Sequence, residues 1–560
     1  MQMSSKSRSA VQEGPPPQHE REVEWQLAAA DLGIVRRWLA EHGTVDGLVL
    51  EPSSTLQIVD TYLDTEDWRI HRAGFALRVR SESGKSEATL KSLHSAGAGP
   101  ADRRELTEAL DDSQGASIGQ LSGRVGTRVH AVAGEHALRP LFEVRTTRQR
   151  HSVRKENEAQ PLGEIALDDT VIARPQGEPE THMQRVEVEV LGKEREPLAS
   201  LVKRLRGDCA LEMASDSKYS QGLKSAGLVP APAPTFAPTE VYGSMPMAEV
   251  ARANLRRYLS VWHSHEFGAR LGDDPEELHD LRVAARRLDG ILRQFKSSLP
   301  AAFLRIRPII KKVLRTLGDV RDLDMALNEL QIFSGGLLES ERVGVEPLKR
   351  HLASERGRVR ARMLSLLDTA AVQSGFEKLG SLLAAAPAAA PAAAPSAAQQ
   401  STGEPALRAS PEMIRSRYRK LRKRADKLTS DSSAEAYHEV RGRVKKLRCT
   451  LEAVAVIYGK PADEMMRALR RWQESLGVQQ DAAVASRRLA AIAVAPPKDM
   501  PPETLFWMGR LAEHYVSAAA RARRRNAKGY RKIRRQWRRL RSRIEALAIS
   551  DPPGPAGSVP

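Results

Sequence analysis

In the first part of this 560-residue chain, charged residues recur at every second position. That spacing puts side chains on one face of an extended strand. Glu22 and Glu24, Arg78 and Arg80, Arg148 and Arg150, Glu164 and Asp168, and Arg185, Glu187 and Glu189 each line one side, while Val, Leu and Ile take the other. An antiparallel sheet with one wet face also alternates, but it gives no reason to set acidic groups apart from basic ones. If the sheet closes, the charged faces meet in a channel where carboxylates hold a divalent cation and arginine or lysine holds an anion. Those are the requirements of polyphosphate chemistry, in which metal and cations together neutralise the phosphoryl group being transferred.

A second pattern is helical and occurs twice, as HDLRVAARRLDG (His279 to Gly290) and HEVRGRVKKLRC (His438 to Cys449). At about 100° per residue, His279, Arg282, Arg286 and Arg293 form one cationic stripe, opposite Leu281, Ala285, Leu288, Leu292 and Phe295. The second copy sets His438, Arg441, Lys445 and Arg448 against Val440, Val444, Leu447 and Leu451. LGDVRDLD begins at Leu317 and LGVQQDAAV at Leu476, so the copies keep one offset of 159 residues, the mark of an internal duplication. Two such helical hairpins packed about a pseudo-twofold axis would bring both stripes to one groove or pore. The candidates for holding a phosphate chain there are His279, Arg282, Arg286, Arg287, Arg293, Arg321, His438, Arg441, Lys445, Lys446 and Arg448. One turn further along each stripe stands an arginine, Arg282 or Arg441, and not an acidic residue or second histidine, so the histidines read as donors to an anion and not as metal ligands.

The elements that must position these residues are of two kinds, which predicts an α+β chain of more than one domain. EREVEWQL, FALRVRSE, EATLKSL, LFEVRTTRQRHSV, GEIALDD and RVEVEVL read as strands of an antiparallel β tunnel; the basic part reads as an all-α duplicated bundle. Residues 1–230 hold 30 basic and 35 acidic residues, net −5, and the remainder 58 and 35, net +23. A segment at +23 calls for a polyanion. Nucleic acid is the chief rival to a phosphate polymer, but aromatics are only 4% of the chain, too few for base-stacking platforms among the cations. The domains are expected at 20–228 and 245–548, joined by a Pro/Ala linker at 229–244 that contains VPAPAPTFAPTE. Disordered tails are expected at 1–19 and 549–560, with a disordered Ala/Pro insertion at about 384–410. Two cysteines, no signal-peptide pattern and no apolar run long enough to span a membrane predict a cytoplasmic protein.

Residues 20–226 resemble the CYTH domain, the triphosphate tunnel fold of class IV adenylate cyclases, thiamine triphosphatases and inorganic triphosphatases. The resemblance rests on EVEWQ at Glu22 to Gln26, YLDTEDWRIHRAGFALRVR at Tyr62 to Arg80, TLK at Thr89 to Lys91, VEVEV at Val186 to Val190, and Ser217–Lys218. It implies Mg²⁺ or Mn²⁺ held by Glu22, Glu24, Glu187 and Glu189, with Asp168 a further carboxylate, and phosphates held by Arg78, Arg80, Lys91, Arg148 and Lys218. Two positions depart from the family pattern. Gln26 stands where the first motif has lysine, and Thr107 where a second carboxylate alternates, so Gln26→Lys is expected to raise turnover. Residues 245–548 resemble the CHAD domain through LHDLRVAARRLDGILRQF, LGDVRDLDMAL, HEVRGRVKKLRCTLE and LRRWQESLGVQQDAAV. That resemblance implies binding of inorganic polyphosphate and association with polyphosphate-granule proteins. The expected function is polyphosphate binding by the helical domain, with a tunnel that binds triphosphate or polyphosphate and a divalent metal and hydrolyses it. The alternative is a cyclase-like or non-catalytic tunnel joined to a nucleic-acid-binding helical domain.

Overall fold

The structure, a computed structural model, describes residues 20–93, 101–110, 123–173, 181–192, 194–384, 404–429 and 432–549. The tails expected to be disordered, up to 19 and from 550, and most of the Ala/Pro insertion lie outside the described residues. The chain forms two compact units, Met1–Ala233 with Arg270–Asp273, and Pro234–Ala269 with Asp274–Pro560.

Ten strands build the first unit: β1 (Glu20–Ala29), β2 (Thr44–Val45), β3 (Leu48–Thr65), β4 (Phe75–Glu82), β5 (Lys85–Ser92), β6 (Ala101–Leu110), β7 (Leu138–Lys155), β8 (Pro161–Ala173), β9 (Thr181–Val190) and β10 (Glu212–Met213). Their order is β1-β6-β5-β4-β3-β7-β8-β9, all antiparallel, and β1 pairs also with β9, so eight strands close into a barrel. Closure satisfies the backbone groups at both edges and makes an inside. The apolar alternates face outward. Trp25, Leu27, Ile165, Leu167, Val186 and Val188 pack beneath helices α1 (Leu32–Glu41) and α4 (Glu196–Asp208), which contribute Leu32, Val35, Trp38, Leu198, Leu201 and Leu205. The hydrophobic core therefore lies outside the barrel wall, which frees the interior for charge. Short helices α2 (Arg69–Arg72) and α3 (Arg124–Ala133) complete the wall's surroundings, and α5 (Lys218–Ser225) packs on Tyr62, Phe142 and Ile172 through Tyr219 and Leu223. The approach of α5 needs Gly222, where an added Cβ would lie 1.9 Å from the Phe142 ring.

The longest strand reading missed by sequence is β3. Pro52 and the run of Ser and Thr after it break the alternation, and the structure absorbs them in a bulge, with a register shift between Pro52 and Ser54 against β7.

The second unit is helical: α6 (Met247–Leu271), α7 (Pro275–Gln294), α8 (Ala301–Leu304), α9 (Arg307–Gly335), α10 (Glu339–Arg342), α11 (Glu346–Leu367), α12 (Ala370–Ala384), α13 (Ala406–Ala425), α14 (Ala434–Tyr458), α15 (Lys460–Val494) and α16 (Pro502–Ile549). Local signals set the starts of the two duplicated helices. Asp274 caps α7 by accepting from the Glu276 amide, with Pro275 in the first turn, and Ser433 caps α14 by accepting from the Ala436 amide. One core runs through Leu281, Leu288, Val440, Val444 and Leu447, the apolar faces expected opposite the stripes.

The insertion expected to reach residue 410 ends sooner. Helix α13 starts at Ala406, and Ala406 and Ser410 are buried, with a 2.6 Å hydrogen bond between the Ser410 and Tyr458 hydroxyls. Pro405, the last residue of the low-complexity run, stands at the N-cap, and Pro411 is carried within the helix. Part of the expected linker is also bound to the helical unit. The Phe236 amide donates to Ser260 Oγ, and Arg257 donates to the Thr239 carbonyl.

Candidate functional sites in the barrel and at the helix crossing

Strand alternation aims β1, β4, β5, β7, β8 and β9 side chains into the barrel, where opposite charges meet. Arg80 makes a two-point contact with Asp60 (2.8 and 3.0 Å), and Arg78 reaches Glu105 (3.3 Å) and Asp60 (3.8 Å). Lys91 lies 3.4 Å from Glu24 and 3.5 Å from Glu105. Arg148 donates twice to Asp168 (2.7 and 2.6 Å) and pairs with Glu187; Lys218, brought in by α5, pairs with Asp168 and lies 3.1 Å from Glu187. Arg150 pairs with Glu164 at 2.6 Å. The burial of Glu187 favours its neutral form, but Lys218 and Arg148 outweigh it and hold the carboxyl well below the usual range. Asp60 is lowered in the same way, with Arg78 and Arg80 opposing its burial. Glu187 and Asp60 are thus held ionised beside protein cations.

The resemblance-derived set is gathered in this interior, including Arg78, Arg80, Lys91, Arg148, Lys218, Glu24, Asp168 and Glu187. Glu189 stands directly opposite Glu24 on one side and Glu164 on the other. Glu22 lies on β1 opposite Arg103, and its side chain lies outside the described part. Glu24, Glu189 and Glu164 form one cross-strand row of carboxylates, spaced at about 5 Å between Cβ atoms. An oxygen-only row suits Mg²⁺ or Mn²⁺. Among the described residues no three acidic, histidine or cysteine side chains already converge as a metal cage, so a metal would have to draw the row together. Asp60 and Glu105 were missed from sequence. Asp60 sits in the misread strand, and Glu105 is flanked by Arg103 and Arg104, which blur its alternation. Thr107 hydrogen-bonds Thr89 (3.2 Å), and Glu108 caps α3 by accepting from the amides of Gly123, Val125 and Gly126.

In the helical unit the two stripes meet. Gly290 on α7 and Cys449 on α14 are equivalent positions in the duplication, and they face each other at the crossing; a Cβ on Gly290 would lie 3.9 Å from Cys449 Sγ. Contact between equivalent positions places the pseudo-twofold axis there. Around it Arg282, Arg286, Arg441, Lys445 and Arg448 act on one another electrostatically. Burial, then Arg282 and the neighbouring arginines, lower Arg286 to about 10; burial, then Arg286, lower Lys445 to about 8. Arg282, Arg286, Arg441 and Lys445 make no ion pair with a described residue, and Arg441 Nε is buried with no hydrogen-bond partner among them. Arg282 lies over Gly318 and Arg441 over Gly477, each 3.7 Å from where a Cβ would be, so the two LG motifs seat the two arginines in the same way.

Other members of the predicted set have different surroundings. Arg287 crosses to α14, donating to Glu452 (2.7 Å) and to Cys449 Sγ (3.0 Å). Arg321 donates to Glu276 and the Pro275 carbonyl at the start of α7, close to His279. His438 is exposed. Arg293 and Lys446 lie with Arg417, Lys420 and Arg443 in a separate cationic group on α7, α13 and α14. The angular reading put Arg293 on one stripe with Arg282 and Arg286, and in the structure it lies in this second group, further along α7 than the crossing.

The CYTH domain family matches residues 35–221 and the CHAD domain family residues 253–490. Among solved structures, the CHAD domain from the plant Ricinus communis is 22% identical, covers 56% of this chain and 97% of its own, and has a TM-score of 0.42. HpAC1 from Hippeastrum, described as an adenylyl cyclase with a dominant triphosphatase activity, is 18% identical over 37% of this chain and 98% of its own, with a TM-score of 0.28. An adenylate cyclase so named from Bacillus halodurans is 16% identical over 36% of this chain and 97% of its own, with a TM-score of 0.26. No curated protein matches the sequence. Among the described residues, no helix is long and apolar enough to cross a membrane.

Proposed function

Since this chain belongs to the proteins in which a CYTH domain precedes a CHAD domain, we propose that it binds inorganic polyphosphate at the α7–α14 crossing and a metal-bound triphosphate or polyphosphate end inside the barrel. The observation that carries this reading is the meeting of Arg282, Arg286, Arg441 and Lys445, half-buried cations that make no contact ion pair with a described residue, although Asp322 and Asp481 act on Arg282 and Arg441 from further off. A linear polyanion neutralises such a row at many points and displaces its counterions. RNA would add base recognition, for which aromatics at 4% of the chain supply few stacking platforms.

In the barrel the chemistry is exchange. Arg78, Arg80, Lys91, Arg148 and Lys218 turn from the carboxylates to phosphate oxygens, and Glu24, Glu189 and Glu164, with Glu22, Asp168 and Glu187 as the further carboxylates, are left to a divalent cation. Bound there, Mg²⁺ or Mn²⁺ would polarise a phosphoryl group toward attack by water. The residues themselves orient the phosphates and screen their charge. A chain so equipped would act in the cytoplasm, at polyphosphate granules.

The test is charge-matched. Arg286→Ala with Lys445→Ala, and Arg282→Ala with Arg441→Ala, should each weaken binding of long-chain polyphosphate by roughly ten- to a hundredfold at fixed salt. Arg521→Ala with Arg523→Ala on α16 should change it little. Equal losses from all three pairs would make the helical unit a diffuse polycation and overturn the reading.

A further inference from the structure

Arg185 on β9 belongs to the interior face that also carries Glu187, and it lies opposite Asp168 in register. It is 4% exposed, yet it differs from the other interior cations. Arg78, Arg80, Lys91, Arg148, Arg150 and Lys218 each have a carboxylate within 4 Å, whereas Arg185 makes no ion pair with a described residue. Its guanidinium is held by neutral groups instead, donating to Gln26 Oε1 (3.4 Å) and to the Asp216 carbonyl. Gln26 in turn donates to Glu24 (2.8 Å), which ties it into the carboxylate row.

Beside Arg185 a cavity of about 640 Å³ opens at the rim, where β1 ends and β9 begins, lined also by Ala28, Gln184, Ser215 and Asp216. Its wall carries three carboxylates, Asp31, Asp169 and Asp216, of which the first and last are engaged. Asp31 caps α1 by accepting from the Gly33 amide, and Asp216 pairs with Lys224 at 2.7 Å. Glu187, Asp168, Asp216 and Glu24 act on this guanidinium from a distance, but its hydrogen bonds go to neutral oxygens, so a buried cation beside an open cavity is left to receive an anion.

We propose that Arg185 is a substrate-binding residue of the barrel, gripping a phosphate group of a linear polyphosphate at the rim and supplying from β9 the positive charge that Gln26 does not. The proposal rests on the barrel's binding of triphosphate. It also reverses the expectation for Gln26→Lys. In the native chain a lysine there would sit against the Arg185 guanidinium, and two cations would compete for one place.

The experiment uses the full chain with Arg282→Ala, Arg286→Ala, Arg441→Ala and Lys445→Ala in every arm, so that the helix crossing contributes equally little throughout, and measures tripolyphosphate affinity with Mg²⁺ by calorimetry. Arg185→Gln should weaken binding roughly ten- to a hundredfold, Arg185→Lys should retain most of it, and Gln26→Lys alone should not tighten it. Gln26→Lys combined with Arg185→Gln should recover affinity to within a few-fold of the starting protein, a rescue that a purely structural role for Arg185 would not give. Unchanged affinity in Arg185→Gln, or tightening by Gln26→Lys with no rescue in the double variant, overturns the inference while leaving the barrel reading intact. No tripolyphosphate binding by the starting protein overturns both.

Discussion

At the scale of single residues, the two sites handle charge in opposite ways. Glu187 is the shared acceptor of Arg148 and Lys218, and removing its charge leaves two buried cations short of a partner. Glu187→Gln should therefore cost about 3–5 kcal/mol of stability at neutral pH, read as a lowered unfolding midpoint, and added tripolyphosphate should recover more of the loss than it adds to the native protein. If the variant melts with the native protein, the pairs hold nothing together. Lys445 shows the reverse case. Burial and then Arg286 depress it from 10.5 to about 8, so it is charged below that pH and neutral above it. Polyphosphate affinity should fall as pH rises through about 8, since binding then requires proton uptake, and Lys445→Arg should flatten the fall. The same shift acts on folding with the opposite sign. Between about 8 and 10.5 the unfolded chain binds more protons than the folded one, so the stability of the unliganded protein should rise with pH there.

At the scale of elements, Gly318 on α9 and Gly477 on α15 are the seats of Arg282 and Arg441. A methyl group at either would meet the guanidinium at ordinary van der Waals distance, 3.7 Å. Gly318→Ala should thus leave polyphosphate binding intact and add up to about 1 kcal/mol through helix propensity, while Gly318→Leu should lift Arg282 from its seat and weaken binding without loss of helicity. Equal binding by both variants would show that the seat is immaterial. These elements were largely legible in the sequence. The two helices announced themselves through a period of 3.6 and a fixed offset, and most of the barrel through a period of two. The hidden parts were those in which a local signal pointed away from the global solution. Pro52 disguised β3 and with it Asp60, and Pro405 and Pro411 disguised the start of α13. The role of Arg185 was hidden for another reason. Alternation places it inside, but only the geometry reveals that the groups it hydrogen-bonds there are neutral, because sequence spacing does not say which strand closes the barrel against β1.

At the scale of the whole molecule, the barrel and the helical unit both turn the usual plan of a protein inside out, the one with a charged interior and the other with cations at its axis of symmetry. The barrel pairs most of its interior cations. The helical unit does not, and the duplication itself makes the conflict unavoidable, because two copies of one sequence meeting at an axis present the same sign to each other. The crossing of α7 and α14 is in effect a sprung joint, closed by the apolar faces of Leu281, Leu288, Val440 and Leu447 and pushed apart by Arg286 and Lys445. Raising sodium chloride from about 0.05 to about 0.5 M shortens the reach of that repulsion, so the unliganded helices should melt at a higher temperature, and Arg286→Ala with Lys445→Ala should blunt the gain. A melting temperature indifferent to salt would mean that the joint carries no tension. Salt would then be both tonic and thief for this protein, steadying the empty crossing by the same screening that drives its polyanion away.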